Sequence, residues 1–423
     1  MSTSSKISIS HFDQTSKLRR LTPFVWLLLS LLVMMWLAKI SFAAPQADSA
    51  IYFPIFSNND NGSSSAIIVQ NTQLSPATFS IDFFDSQGNL IYTLANETLS
   101  VYGSMIVDSA ALSGLPQGAS YSAVLLSDMA VSAVLRTGTA FGKVGLYEGI
   151  EPSGGNIGFG YEVVAPFFQG TDYNSTLFVM HDDAQPRKYQ IDFVDEFGVT
   201  AHVITDTGLV APYAPLVLNN IPELGTSFTG WAYINELEIG ELGVAAVVKH
   251  VDPKTEEIIY QTGLAHSDAF GTQYLTNVFN DAPEGDGYLN STVYALNRSI
   301  SPADLGVEYY SDNGVLMITD TQFVSTDSMP TLSKITAPGS AASAVLNPIG
   351  GEFYISEITD YGAPNGASMG TYEVPAPEVN LYIPYLINTG ARRTVLGIQN
   401  VDGNTAVTVT IELRATSGLV LDT

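Results

Sequence analysis

One alternation of apolar and mostly polar residues, closed by a glycine, is written four times along the chain. The copies are Phe79-Ser80-Ile81-Asp82-Phe83 before Gly88, Tyr189-Gln190-Ile191-Asp192-Phe193 before Gly198, Leu305-Gly306-Val307-Glu308-Tyr309 before Gly314, and Val409-Thr410-Ile411-Glu412-Leu413 before Gly418. A period of two predicts half-buried strands whose Phe, Ile, Val, Leu and Tyr side chains enter a core. The glycine suits a hairpin turn that needs positive φ, and Asp85, Asp195, Asp312 and Asn313 just before it suit bonds from side chain to turn backbone.

A second landmark gives the same spacing. Pro54, Pro166, Thr276 and Pro384 open similar segments and stand 112, 110 and 108 residues apart. That spacing fits one β-sandwich of about 100 residues per period. A third landmark closes the next strand with Asn71, His181, Asn297 and Asn400. Asn there is read as a strand-end residue bonding to loop backbone, and His181 as a hydrogen-bonding substitute for it.

In the first period the pattern predicts strands near 51–56, 64–71, 77–85, 89–95, 104–109, 119–127 and 130–137. Short strands separated by turn signals indicate an all-β chain of tandem antiparallel immunoglobulin-like β-sandwiches. Their expected spans are 51–150, 161–264, 272–361 and an incomplete fourth at 379–423. Links rich in Gly, Ser, Pro and Asn (151–160, 265–271 and 362–377) predict limited articulation between successive units. Half a sandwich leaves an apolar face and strand edges unpaired, so further repeats or an anchoring segment are expected beyond Thr423.

An export signal precedes the strands. Lys6, Lys17, Arg19 and Arg20 lead into an uncharged, mostly apolar run from Phe24 to Ala38, and Ser41-Phe42-Ala43 offers small residues to a signal peptidase. Residues 1–43 are therefore expected to be a signal peptide. The apolar run is shorter than the roughly 20 residues that span a bilayer. An uncleaved anchor is the alternative, and either outcome places the rest outside the cytoplasmic membrane, secreted or at the cell surface.

Charge narrows the partners. Of 16 Lys and Arg and 42 Asp and Glu, five basic residues and one acidic residue fall within 1–43, leaving 11 against 41 and a net charge of −30. Such a field repels phosphate backbones and anionic membrane surfaces. Nucleic acid is thereby excluded, and membrane contact is confined to an uncleaved N-terminal segment. The chain has no cysteine, so burial alone must hold the fold, and thiolate metal sites and thiol catalysis are excluded.

Candidate chemistry is sparse. Gly366-Ala367-Ser368-Met369-Gly370 fits the G-x-S-x-G pattern but lies in a Gly/Pro-rich link without the following helix that a nucleophile elbow needs. His181, His202, His250 and His266 show no zinc spacing. No residue is nominated as catalytic or cofactor-binding. The metal worth weighing is calcium, through Asp60 in the Asn58–Asn61 loop and through Asp281, Glu284 and Asp286 in the 281–287 loop. These loops are rich in the oxygen ligands a hard cation wants, although neither has EF-hand spacing. Asn96, Asn174, Asn290 and Asn297 begin N-glycan acceptor triplets. Trp231, the one Trp beyond the signal, sits in a strand and is read as core rather than as a sugar platform.

Ile51–Phe56, Val69–Asn71, Phe83–Leu90 and Ser127–Val134 together carry the order [IV]-Y-F-P-x-F, V-x-N, F-x-D-x-x-G-N-L and S-x-x-x-V-S-A-V. This order resembles an uncharacterised tandem Ig-like β-sandwich repeat of secreted bacterial surface proteins. The resemblance covers most of the chain beyond residue 43, implies an exported bacterial protein, and supplies no catalytic residue. Departures are Thr276 for Pro, His181 for Asn and Ser417 before Gly418. The function expected is that of an exported, non-enzymatic spacer, stalk or adhesin with a surface protein or polysaccharide as partner. The alternatives are an extracellular carbohydrate- or calcium-binding module, or accessory domains of a longer secreted enzyme.

Overall fold

The computed structural model describes residues 49–139, 143–150, 159–160, 162–170, 173–237, 244–265, 269, 271–284, 287–311, 313–332, 339–362, 381–384, 386, 394, 396–402 and 405–423. The expected signal peptide, the Gly366–Gly370 motif and most of the three expected links lie outside these residues. The period-two segments do become strands. Phe79, Ile81 and Phe83, then Tyr189, Ile191 and Phe193, then Leu305, Val307 and Tyr309 are buried, while the residues between them are partly exposed.

Eight strands open the described chain: β1 Ser49–Asp60, β2 Ser63–Asn71, β3 Ala77–Phe84, β4 Leu90–Leu99, β5 Ser104–Asp108, β6 Ala119–Ser127, β7 Val131–Thr139 and β8 Val144–Glu148. Seven fall where the pattern predicts them, and β8 is an addition. They form one sheet in the order β4-β3-β6-β1-β2-β7-β8, with β5 on β2. The sheet folds back on itself, because Tyr147 on β8 donates to Ile55 O on β1 at 2.7 Å across the interior.

The next strands are β9 Phe159–Gly160, β10 Glu162–Gln169, β11 Asn174–His181, β12 Tyr189–Asp195, β13 Thr200–Ile204, β14 Leu216–Asn219, β15 Phe228–Glu236, β16 Val244–Val251, β17 Ile258–Thr262 and β18 Leu264–Ala265. They make one sheet ordered β13-β12-β15-β10-β18 and another ordered β14-β11-β16-β17, with β9 on β16. A third group follows: β19 Gln273–Asn280, β20 Ala282–Glu284, β21 Gly287–Asn297, β22 Ala303–Tyr310, β23 Leu316–Val324, β24 Thr331–Leu332, β25 Ser340–Ile349 and β26 Phe353–Gly362. Its sheets run β19-β25-β22-β23 and β20-β21-β24, with β26 on β21. A ribbon of β27 Leu413–Arg414 and β28 Val420–Asp422 ends the chain. The fold is thus all-β, in several antiparallel sheets and not a barrel. Among the described residues no helix is long and apolar enough to cross a membrane.

Several sheets are buried on both faces, so packed apolar side chains join one strand group to the next. On β11 and β16, Leu177, Val179, Val244, Ala246 and Val248 pack with Val163, Ala165 and Phe167 of β10. From the opposite face Phe178, Met180, Ala245 and Val247 join the core built around Phe53, Ile81 and Leu125. The sheet containing β10 and β15 is likewise two-sided. Its Val164, Phe168, Trp231 and Tyr233 pack with Tyr294, Leu296, Tyr354 and Ile358 of β21 and β26. Apolar area buried at about 25 cal/mol per Å² makes such junctions as cohesive as the interiors. Asp48–Thr423 accordingly behaves as one contact unit.

The glycine turns match their prediction closely. Gly88, Gly198, Gly314 and Gly418 have φ of 78°, 85°, 76° and 82°. In each, the Gly N–H donates to the carbonyl three residues back, at Asp85, Asp195, Ser311 and Ala415. Asp85 Oδ1 and Asp195 Oδ1 accept from turn N–H groups at 2.8–3.0 Å. In the third copy Ser311 Oγ accepts from Val315 N at 3.2 Å and donates to Asn313 Oδ1 at 2.6 Å, and Asp312 lies outside the described residues. The fourth copy departs, since Val409 and Ile411 fall outside any strand and stay exposed.

Candidate functional site

The strand-end residues act on loop backbone. Asn71 Nδ2 donates to Ser75 O and Ser100 O at 2.7 and 2.9 Å, and its Oδ1 accepts from Gln73 N. Asn297 repeats this with Ser301 O, Val324 O and Ser299 N, and Asn400 with Thr405 O and Asp402 N. His181, buried at the same landmark, donates Nε2–H to Val210 O at 3.0 Å, and burial lowers its pKa. Asn297 is 0% exposed, which closes it to a glycan.

Of the calcium candidates, the structure describes the side chains of Asp60 and Asp281. Asp60 Oδ2 accepts from Ser120 Oγ at 2.6 Å and its Oδ1 from Asn61 Nδ2 at 3.0 Å. Asp281 is exposed with φ 50° and belongs to a different sheet region. Asp286 and the Glu284 side chain lie outside the described residues. Among the described residues no group of three or more His, Cys, Asp or Glu is gathered for a metal ion. Trp231 is 0% exposed, so it offers no platform to a sugar.

Sequence reasoning missed one arrangement with catalytic appearance. Ser175 Oγ lies 2.8 Å from His250 Nδ1, and His250 Nε2 lies 2.9 Å from Gln261 Oε1. Gln261 Nε2 continues to Ser356 Oγ and Glu357 O at 2.6 and 2.8 Å. His250 is wholly enclosed, and Ser175 Oγ is already occupied by Phe168 N–H at 2.8 Å. Burial depresses the His250 pKa to about 4. A nucleophile must meet a substrate carbon, and nothing reaches this hydroxyl. The chain of bonds ties β11, β16, β17 and β26 together instead.

Polar side chains also pin sheet groups to one another. Tyr52 OH on β1 donates to Asp182 Oδ2 at 3.0 Å, and burial together with Asp182 raises the tyrosine pKa. Asp183 and Glu236 flank Arg187 beside it, with Arg187 Nε 3.3 Å from Glu236 Oε1. At the next junction Arg298 Nε stands 2.9 Å from Glu162 Oε1, Nη1 3.0 Å from Asp327 Oδ1, and the guanidinium 4.6 Å from the Tyr233 ring centre. Asp182 and Arg298 each follow the strand-end residue directly and reach β1 and β10 of the preceding group.

The surface with most chemical content is a turn seated on a loop, found three times. The Asp85–Gly88 turn lies against Pro212, where a Cβ on Gly88 would stand 2.4 Å from Pro212 O. Phe84, just before that turn, stacks on Tyr213 at 4.7 Å. The Asp195–Gly198 turn lies against Thr326 and Asp327, and Met329 N donates to Glu196 O at 2.9 Å. The Ala415–Gly418 turn lies against Val101 and Tyr102, and Ser104 N donates to Thr416 O at 2.8 Å. Arg414, just before it, sits 4.3 Å over the Tyr102 ring. The receiving loops, which join β4 to β5, β13 to β14 and β23 to β24, each hold a residue at positive φ: Tyr102 at 55°, Tyr213 at 60° and Asp327 at 56°. The donor of the missing equivalent bond at the first junction would be residue 215, a proline with no N–H.

No protein-family model matches the chain, and no curated protein matches its sequence.

Proposed function

We propose that this chain is an exported, non-enzymatic repeat protein, a tandem of immunoglobulin-like sandwiches that works as a cell-surface spacer, stalk or adhesin. The observation that carries the reading is the recurrence of one strand order. The orders β4-β3-β6-β1, β13-β12-β15-β10 and β23-β22-β25-β19 each set a hairpin (β3-β4, β12-β13, β22-β23) beside a later strand that also pairs with a strand near the group's opening (β1, β10, β19). The partner sheets β5-β2-β7-β8 and β14-β11-β16-β17 recur in the same way. A strand order that recurs in antiparallel sheets supports a tandem of β-sandwich units.

The packing supports a mechanical role. Solenoid-like arrays derive stability from unit cores plus nearest-neighbour interfaces, so a row of dry junctions resists bending better than free linkers. The −26 charge of the chain favours a hydrated, non-aggregating surface. Two measurements test the reading. Small-angle scattering of the full chain is expected to give a particle several times longer than wide, and an isotropic profile would remove the spacer role. Protein recovered from expressing cells is expected to begin after Ala43 and to be open to protease added outside the cells; retention inside, with residues 1–43 intact, removes the export reading.

A further inference from the structure

We propose that Ser356 and Gln261 form a cross-link site, at which the serine hydroxyl displaces ammonia from the glutamine amide and an ester joins β26 to β17. The chain has no cysteine, so a covalent tie between its strand groups has to come from other side chains. Such a bond depends neither on export nor on the spacer role.

The reacting groups are already in contact. Gln261 Nε2 lies 2.6 Å from Ser356 Oγ and 2.8 Å from Glu357 O, and Gln261 Oε1 lies 2.9 Å from His250 Nε2. The direction of each bond follows from what its partner can do. Glu357 O can only accept, which turns the amide nitrogen toward it and the amide oxygen toward His250. That oxygen also can only accept, so His250 carries its proton on Nε2 and takes the Ser175 hydroxyl at Nδ1, 2.8 Å away. Burial lowers the His250 pKa to about 4, which keeps the imidazole neutral near pH 7. An amide is a poor electrophile, and a donor fixed on its oxygen supplies the stabilisation it needs when a nucleophile adds. The repeat departs from itself at this point. Thr137 and Thr359 hold the place of His250 in the other two groups, facing Ser65 and Ser291. The histidine stands where an amide and a second hydroxyl continue the chain of bonds.

The step balances without an outside reactant. A lone pair of Ser356 Oγ forms the bond to Gln261 Cδ, and the carbonyl π pair moves onto Oε1, where His250 Nε2–H holds it. As that pair returns, the Cδ–Nε2 bond breaks. The nitrogen keeps the bonding electrons, takes the hydroxyl proton from the oxygen 2.6 Å away and leaves as ammonia. Groups held in this way can reach effective concentrations of about 10⁵–10⁸ M. Gln261 is partly exposed, which gives ammonia a way out. His250 and Ser356 are 0% and 8% exposed, and Phe168 and Tyr173 stand against the imidazole at 5.2 and 6.1 Å, which keeps water from reopening the ester.

Peptide mapping of the folded, full-length chain reads the bond directly. After denaturation and digestion with pepsin, the expected product is a joined peptide containing both Gln261 and Ser356, lighter than its two parts by one ammonia. Hydroxylamine should split it, as an ester requires. Ser356→Ala should abolish it. His250→Thr, which installs the residue of the other two groups, should slow its appearance after refolding by about 10²–10³-fold, the cost of losing one such donor. Recovery of Gln261 and Ser356 from the unsubstituted chain on separate peptides of unaltered mass overturns the proposal. A joined peptide that survives hydroxylamine, or that persists in Ser356→Ala, overturns it as well.

Discussion

Ser175 faces His250 across β11 and β16 at 2.8 Å, at the place where Ser65 faces Thr137 and Ser291 faces Thr359, each at 3.0 Å. In all three the serine oxygen also accepts a backbone N–H, from Ser57 on β1, Phe168 on β10 and Phe279 on β19. The Ser–His pair is therefore one copy of a structural clasp in which threonine has been exchanged for histidine. A buried N–H left without an acceptor costs about 1–3 kcal/mol, which is reason enough for the clasp to recur.

That exchange makes stability depend on acid. Burial lowers the His250 pKa from its ordinary 6.5 to about 4. The unfolded chain therefore binds the proton first. The contribution of neutral His250 is full above pH 6.5 and is lost as pH falls toward 4, by on the order of 3 kcal/mol over the whole interval. His181, also lowered by burial, acts in the same direction. His250→Thr should lower the urea midpoint at pH 7.5, because Gln261 Oε1 loses its donor and Phe168 and Tyr173 lose a ring contact, and should flatten the further fall between pH 6.5 and 4.5. An unchanged acid slope would show that His250 is not the group responsible.

The Arg298 and Glu162 pair gives a second measurement. Both side chains are about 30% exposed, at 32% and 27%, so screening limits their worth. Arg298→Ala is expected to cost about 1–2 kcal/mol, through the lost ion pair and the lost contact with Tyr233. In a double-mutant cycle with Glu162→Gln the coupling should be about 1 kcal/mol at low salt and smaller in 1 M salt. A coupling of zero would mean that the junction is held by Trp231, Tyr294 and their neighbours alone.

The strands were legible because half-buried segments such as Phe79–Phe83 alternate cleanly, and the turns because Gly88 and Gly198 have few conformational substitutes. The dry junctions were signalled differently. Leu177-Phe178-Val179-Met180 and Val244–Val248 are apolar without interruption, the mark of a strand covered on both faces. The Gly- and Pro-rich links drew attention instead and suggested articulated units. Ser175 with His250 was unreadable, because residues 75 positions apart meet only through the sheet register that pairs Ser175 with His250. The turn-on-loop contact was hidden for a similar reason. Its receiving residues, Tyr102, Tyr213 and Asp327, share a positive φ and not a residue type.

Asp60 is open to a test of its own. Its carboxylate is held by Ser120 and Asn61, and among the described residues no group of three or more His, Cys, Asp or Glu is gathered for a metal ion. A cation site of 10 μM affinity would add about 2.7 kcal/mol at 1 mM calcium, a shift of several degrees in Tm. Asp60→Asn should leave the difference between Tm in 1 mM calcium and Tm in chelator unchanged. A calcium-dependent rise that disappears in this variant would restore Asp60 as a ligand.

Gly88 and Gly314 separate the strain of a left-handed turn from the cost of a blocked junction. Their φ values are nearly equal, at 78° and 76°. A Cβ on Gly314 has nothing within 4 Å, whereas one on Gly88 stands 2.4 Å from Pro212 O and 3.2 Å from Ala211 Cβ. Gly314→Ala should therefore cost only the backbone term, about 1 kcal/mol. Gly88→Ala adds displacement of a backbone carbonyl that cannot rotate away, together with loosening of the Phe84 and Tyr213 stack. Its cost is expected to be about 2–4 kcal/mol, within the range of overpacked cores. Chemical denaturation of the two variants gives the comparison. Equal losses would mean that the turn at Gly88 carries no load between the two strand groups.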